Sequence, residues 1–181
     1  MPNILVILAS GFEEIEAVAP ADIWRRLGFK VTFAGLDDMQ ITGAHGIVLE
    51  ADALLEEVAD LDYDAVFLPG GMPGSTNLRD SEKVCSLISS MAEAGKVVSA
   101  ICAAPMVLSK CNVLNGKKFT MYPGMESFLL PGNMPSNKSA VRDGNIVTGK
   151  GPGAVFDFAV EVAQALGVDG SDCLKTMMFE R

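Results

Sequence analysis

An open, mostly parallel α/β sheet with helices on both faces is the fold class this sequence predicts. Three observations carry it. Short, continuous, branched apolar runs recur along the chain, as in Ile4-Leu5-Val6-Ile7-Leu8-Ala9 and Ala65-Val66-Phe67-Leu68, and such runs suit strands buried on both faces. Segments with helical spacing separate them, and strand–helix alternation argues parallel crossovers. No linker, internal repeat or low-complexity tract interrupts the 181 residues, so one domain is expected over 1–181.

The elements follow in chain order. Ile4 to Ala9 is the first strand. Glu13 to Leu27 is helical, with Ile15, Val18, Ile23 and Leu27 as its apolar face, Arg25-Arg26 near its C-terminal end and Gly28 as its stop. Lys30 to Gly35 is a second strand. Ile41 to Leu49 reads as a hairpin around Gly43-Ala44-His45-Gly46. Ala65 to Pro69 is a strand that runs out into Gly70-Gly71. Asp80 or Ser81 caps a helix that reaches Ala94 and ends at Gly95. Lys96 to Ile101 is the next strand. Ala103 to Lys110 is a short helix with Pro105 in its first turn, where proline is tolerated. Pro123 to Ser139 is one long surface loop. Val141 to Thr148 is a second hairpin, and Ala154 to Leu166 is a helix with Val155, Phe158, Ala159, Val162 and Leu166 on one face.

Composition excludes several function classes. Lys plus Arg is 14 and Asp plus Glu is 23, a net charge of −9 that repels phosphate backbones and argues against nucleic-acid binding. The apolar start is short, lacks a basic region before it and meets Glu13-Glu14 at once, so no signal peptide is read; no run approaches the ~20 residues of a membrane span. A cytoplasmic protein with reduced thiols is expected. Cys85, Cys102, Cys111 and Cys173 include no C-x-x-C pair, which removes zinc-finger and thioredoxin-like spacing, and no metal site is expected. Gly149-x-Gly151-x-Gly153 stands too late in the chain for a dinucleotide fingerprint, and there is no P-loop, so no cofactor is expected. The single histidine, His45, is the only imidazole available to a catalytic pair.

In open α/β sheets, ligands sit beyond the carboxyl ends of the strands. That rule gathers Ser10 to Glu16, Gly70 to Gly74, Cys102 and Gly149 to Gly153 at one edge. Cys102, in Ser99-Ala100-Ile101-Cys102-Ala103-Ala104-Pro105, lies between a strand and a helix like the serine of a nucleophile elbow. A helix N-terminus there favours the thiolate. The other three cysteines read as small buried hydrophobes. Gly70-Gly71 would let N–H groups approach a negative charge beside the sulfur, and with the Ala103 N–H would make an oxyanion hole; taken alone, the pair is a tight turn. Glu13 and Glu14 complement the helix dipole. Glu16, at a different angle round the helix, would meet Cys102 if it faces the strand ends, and beside a thiolate it would stay protonated.

Taken in order, five stretches resemble the ThiJ/PfpI superfamily, and most closely its DJ-1 branch. They are Leu5-Val6-Ile7-Leu8-Ala9-x-Gly11-x-Glu13-Glu14-x-Glu16, Pro20-x-Asp22-Ile23-x-Arg25-Arg26-x-Gly28, Leu68-Pro69-Gly70-Gly71, Ala100-Ile101-Cys102-Ala103-x-Pro105 and Gly151-Pro152-Gly153. The resemblance implies a flavodoxin-like three-layer sandwich and a homodimer. It makes Cys102 the reactive, oxidisable cysteine on a strained elbow, Glu16 its carboxyl partner, and Gly71 and Ala103 the oxyanion donors. Tyr122 and the Gly151-Pro152 turn would line the site. Tyr122, before Pro123, stands where many relatives carry a histidine. A phenol donates a hydrogen bond but is a poor base at neutral pH, which speaks against a Cys-His dyad and against peptidase or glyoxalase chemistry that leans on one. His45 falls where branch members carry an arginine that reaches the partner's cysteine pocket; as plain sequence it is an exposed hairpin residue. The resemblance thus implies a cysteine-dependent glyoxalase or deglycase acting on small carbonyl compounds. A redox sensor with holdase behaviour, using Cys102 and an oxidant, is the second expectation, and a binding module without chemistry the third.

Overall fold

The computed structural model describes residues 1–179. Strands β1 (Asn3–Leu8), β2 (Lys30–Gly35), β5 (Ala53–Leu54), β6 (Ala65–Leu68), β7 (Val97–Ile101), β8 (Ala140–Asp143) and β9 (Ile146–Gly149) form a seven-stranded sheet in the order β5-β2-β1-β6-β7-β9-β8. Every pairing is parallel except β8 with β9. The remaining strands, β3 (Gln40–Thr42) and β4 (Val48–Glu50), make the separate hairpin around His45. The fold is therefore the flavodoxin-like α/β class expected.

Two apolar layers explain why these strands are continuous in hydrophobicity. Leu5 and Ile7 of β1, Val66 and Leu68 of β6, and Val98 and Ala100 of β7 face one layer. Ile4, Val6 and Leu8, Ala65 and Phe67, and Val97 and Ile101 face the other. Successive side chains of a strand point to opposite faces, so a strand covered on both must be apolar throughout. The first layer is closed by α2 (Leu55–Val58), α3 (Gly74–Asp80), α4 (Glu82–Glu93) and α5 (Pro105–Lys110). The second is closed by α1 (Glu14–Arg26), α6 (Val155–Ala165) and α7 (Ser171–Thr176). Trp24 anchors that second layer: it is fully buried, meets Phe67 edge-on at 5.3 Å and donates from Nε1 to the Ala159 carbonyl at 3.0 Å. Truncating it to alanine would cost roughly 3–5 kcal/mol.

The cap of α4 is Ser81, whose hydroxyl accepts from the Val84 N–H at 3.3 Å. In α6, Val155, Phe158, Ala159 and Val162 are buried on one face as expected. The short elements α2, α3 and α7 have no clear apolar period and escape a sequence reading.

Two expectations are corrected. Helix α1 does not bury Ile15 and Val18, which are 55% and 44% exposed; it buries Glu14, Glu16, Ala17, Pro20, Ala21, Ile23 and Trp24. Trp24 and two small alanines set the packed face, because α1 lies close against α6, and the two carboxylates on that side have partners at the strand ends. Nor are all thiols reduced. Cys85 and Cys111 are bonded to each other, with Cα atoms 5.4 Å apart, leaving Cys102 and Cys173 free. Helices α4 and α5 lie side by side on one face of the sheet, and this brings together two cysteines 26 positions apart. Among the described residues, no helix is long and apolar enough to cross a membrane.

Candidate active site around Cys102

The strand ends deliver the site. At the end of β7, Cys102 takes φ 64°, a left-handed conformation unusual for a residue with a side chain. Its N–H donates to the Gly149 carbonyl at 2.9 Å and its carbonyl accepts from the Tyr122 N–H at 2.8 Å. The strand-to-helix turn is thereby pinned from both sides. The Ala103 and Gly71 amides hydrogen-bond the sulfur, and Gly71 itself has φ 90°. The Gly70 position has no room for a side chain: a Cβ there would overlap Glu16 Oε2 and the Cys102 Cβ. Glycine at both positions thus lets the β6 turn close on the thiol.

Glu16 lies behind the sulfur, fully buried. Its Oε2 accepts from the Gly70 N–H at 2.9 Å. Its Oε1 has no hydrogen-bond partner among the described residues, and the carboxyl as a whole interacts with the Cys102 thiol. Burial pushes the Glu16 carboxyl up to about 7, while the bonds to Cys102 and Gly70 pull the other way. Near neutrality it is poised to hold or release a proton.

Burial also pushes the Cys102 thiol up, reinforced by the Glu16 charge, and the Ala103 and Gly71 amides only partly offset this. The expectation of a dipole-favoured thiolate is therefore corrected. Helix α5 starts three residues later and has only six residues, too little to outweigh desolvation beside a carboxylate. Proton loss from Cys102 is tied to Glu16: once Glu16 is neutral, its opposition disappears and it becomes a hydrogen-bond donor.

In front of the sulfur opens a cavity of about 660 Å³, lined by Cys102 and Ala103, by Gly71 and Met72, by Tyr122 and Pro152, and by Glu13, Glu14 and His45. Ile15, Ile47 and Met125 complete an apolar wall. Tyr122 is half-exposed at its rim. Gly151 sits behind that ring in an adjoining cleft, where a Cβ would stand 3.2 Å from Tyr122 Cδ2. Of the residues expected at the site, Cys102, Ala103, Gly71, Tyr122, Pro152 and His45 line this cavity, Glu16 and Gly70 lie against Cys102, and Gly151 lines the adjoining cleft.

Glu14 does more than complement a dipole. Its Oε1 accepts from the His45 N–H at 2.7 Å and the Ile47 N–H at 3.3 Å, and its Oε2 lies 2.9 Å from His45 Nδ1. Burial alone would raise its pKa; the hydrogen bonds from His45 and Ile47 overcome it and hold it at about 2. The hydrogen bond to Glu14, with the charges of Glu13 and Glu14, raises the pKa of His45. Glu14 thus straps the β3–β4 hairpin over the cavity mouth. The three ligand atoms of Glu13, Glu14 and His45 lie within 4.8 Å of one another, an approach that this strap accounts for. Glu14's strapping role, and Met72, Ile47 and Met125 as lining, escaped the sequence, since nothing local distinguishes them from helix-start or loop residues.

The model of the DJ-1/PfpI family matches residues 2–165. The chain belongs to that family. It is 41% identical to the protein dj-1beta of Drosophila melanogaster over 164 residues, 90% of this chain and 88% of that protein. It is 31% identical to a deglycase of Pyrococcus abyssi, covering 91% of this chain and 99% of that one. The crystal structure of Drosophila melanogaster DJ-1beta superposes with a TM-score of 0.92 at 36% identity, covering 99% of both chains. Oxidised Toxoplasma gondii DJ-1 gives 0.94 at 30% identity and covers 100% of both. Membership in the DJ-1/PfpI family and its flavodoxin-like fold agree with the motifs quoted from the sequence.

Proposed function

We propose that this protein is a deglycase- or glyoxalase-type enzyme that uses Cys102 as nucleophile and Glu16 as proton shuttle on small dicarbonyls or their thiol and amine adducts. The observation that carries this is the buried Glu16 carboxyl, set against the Cys102 thiol that lines a solvent-open cavity and pushed up to about 7. An acid–base group working near neutrality needs a pKa close to the working pH. Ionised Glu16 takes the thiol proton as Cys102 sulfur adds to the aldehyde carbon; the carbonyl π pair moves to oxygen, where the Gly71 and Ala103 N–H groups receive it. The proton then returns from Glu16 to that oxygen. The similarity to a protein named a deglycase supports the reading, and the chemistry so described needs no imidazole, consistent with Tyr122 in the family's histidine position. Loss of methylglyoxal, followed by its absorbance, tests it. Turnover should vanish in Cys102→Ala and fall steeply in Glu16→Gln, whose amide cannot shuttle a proton. Equal turnover in Cys102→Ala ends the proposal.

A second reading, an oxidative sensor, is favoured by the same carboxyl in its neutral form, which would donate to a sulfinate on Cys102 together with the two amides. We also propose a homodimer. The exposed apolar side chains Ile15, Val18, Ile47 and Val48 are 55%, 44%, 57% and 54% accessible and lie on α1 and the neighbouring hairpin, a surface suited to a second copy of the same chain. His45 lies in that hairpin, where it lines its own chain's Cys102 cavity and is held by Glu14.

A further inference from the structure

Outside the Cys102 cavity, a second pair of reactive groups stands out among the described residues. Cys85 sits in the first half of α4 and Cys111 at the C-terminal cap of α5. Their Cα separation of 5.4 Å is in the range disulfides prefer. The fold does not depend on the bond. Both faces of the sheet are closed by extensive apolar layers, unlike the small domains that need disulfides to fold. Cys111 is buried and Cys85 half-buried. Beside Cys111 lies a separate cavity of about 370 Å³, lined also by Ser89, Asn112, Lys117 and Asn145, where a sulfur released from the bond can take its proton.

The pair is mechanically connected to the active site. From Cys102 to Cys111 the backbone is hydrogen-bonded almost without a break: Ala104 N–H to Ile101, Met106 to Ala103, Val107 to Ala104, and Cys111 to Val107. One end of this short rod is the turn that presents the sulfur and the Ala103 amide. The other end is Cys111. Holding Cys111 to α4 fixes the rod against its neighbour.

We propose that Cys85 and Cys111 form a second reactive site, a dithiol–disulfide pair that exchanges with low-molecular-weight thiols and disulfides and, when bonded, stiffens the turn carrying Cys102. In reduction, an external thiolate attacks the more accessible Cys85 sulfur. The S–S bond breaks, its electron pair leaves on Cys111 sulfur, and that sulfur takes a proton. A second external thiol then attacks the mixed disulfide and releases Cys85. The net change converts one protein disulfide and two thiols into one protein dithiol and one small disulfide, and oxidation is the reverse. The proposal does not rest on the assigned turnover.

The test is equilibration of the reduced, full-length protein with set ratios of oxidised and reduced glutathione, quenching with N-ethylmaleimide and mapping of peptides. The Cys85–Cys111 cross-linked peptide should appear at oxidising ratios and disappear at reducing ones, with an intact-mass change of about 2 Da. The bonded form should melt roughly 5–10 °C higher. Its Cys102 should react more slowly with iodoacetamide than in the reduced form. In Cys85→Ser and in Cys111→Ser that difference should vanish, so a folding defect in one variant leaves the other to decide. Both cysteines staying alkylatable at the most oxidising ratio overturns the proposal. So does a bond that resists excess glutathione in the native protein, or Cys102 reactivity that is the same in both forms.

Discussion

Glu16→Gln should make this protein more stable, and increasingly so as pH rises from 4.5 to 7. The folded state raises the Glu16 carboxyl from its ordinary 4.5 to about 7 by burial. Below 4.5 the group is protonated whether the chain is folded or not, and its burial carries no charge. Between 4.5 and 7 the unfolded chain releases the proton while the native state keeps it, so native stability falls with rising pH. Above 7 the full difference is present. At ~1.4 kcal/mol per pH unit it amounts to about 3 kcal/mol. Glu16 is fully buried, so solvent screening does not dilute the effect. Glutamine keeps the shape and the acceptor for the Gly70 N–H at Oε2, but it never has to lose a proton. The offset between variant and wild type should therefore grow by about 3 kcal/mol between pH 4.5 and pH 8, which is roughly 6–12 °C in Tm for a chain of this size. Calorimetric or circular-dichroism melts at closely spaced pH values measure it. An offset that stays constant across that range would show that the carboxyl is not proton-poised in the native state, and the proton-shuttle assignment would go with it.

The same geometry makes further predictions. Glu14→Gln should weaken the strap on the β3–β4 hairpin by about 2 kcal/mol, since its carboxylate accepts two backbone N–H groups and the imidazole; because the folded Glu14 pKa is depressed to about 2, the wild-type contribution is present above pH 4.5 and lost as pH falls toward 2, which melts in acid will show. Gly70→Ala should cost roughly 1–3 kcal/mol and change the rate of Cys102 alkylation, because the added methyl overlaps both Glu16 and Cys102; an unchanged rate would contradict the crowding. Val18→Glu should convert the proposed dimer to monomer in sedimentation, whereas an unaltered mass places the interface elsewhere. His45→Gln should remove any pH dependence of Cys102 alkylation that arises from the raised imidazole pKa; an unchanged pH profile would leave His45 a purely structural partner of Glu14.

Much of this protein is legible before folding is considered. A strand buried on both faces must be apolar at every position, so β1, β6 and β7 declare themselves. Strands in a parallel α/β sheet converge at their carboxyl ends, so Ser10 to Glu16, Gly70 to Gly74 and Cys102 could be gathered at one edge from chain order, while the pairing of Glu16 with Cys102 came from the family resemblance. What tertiary structure decided are the properties that depend on distant neighbours. The face of α1 was settled by Trp24 and the close approach of α6, which left Ile15 and Val18 outside despite their helical spacing. The state of Cys102 was settled by burial against Glu16, where desolvation outweighs the short dipole of α5. The role of Glu14 depends on a hairpin 31 residues away, and the Cys85–Cys111 bond on two helices lying side by side. Local pattern fixes which face of a strand or helix can be apolar. The energy of a charge, a proton or a sulfur depends on what the rest of the chain brings within a few ångströms.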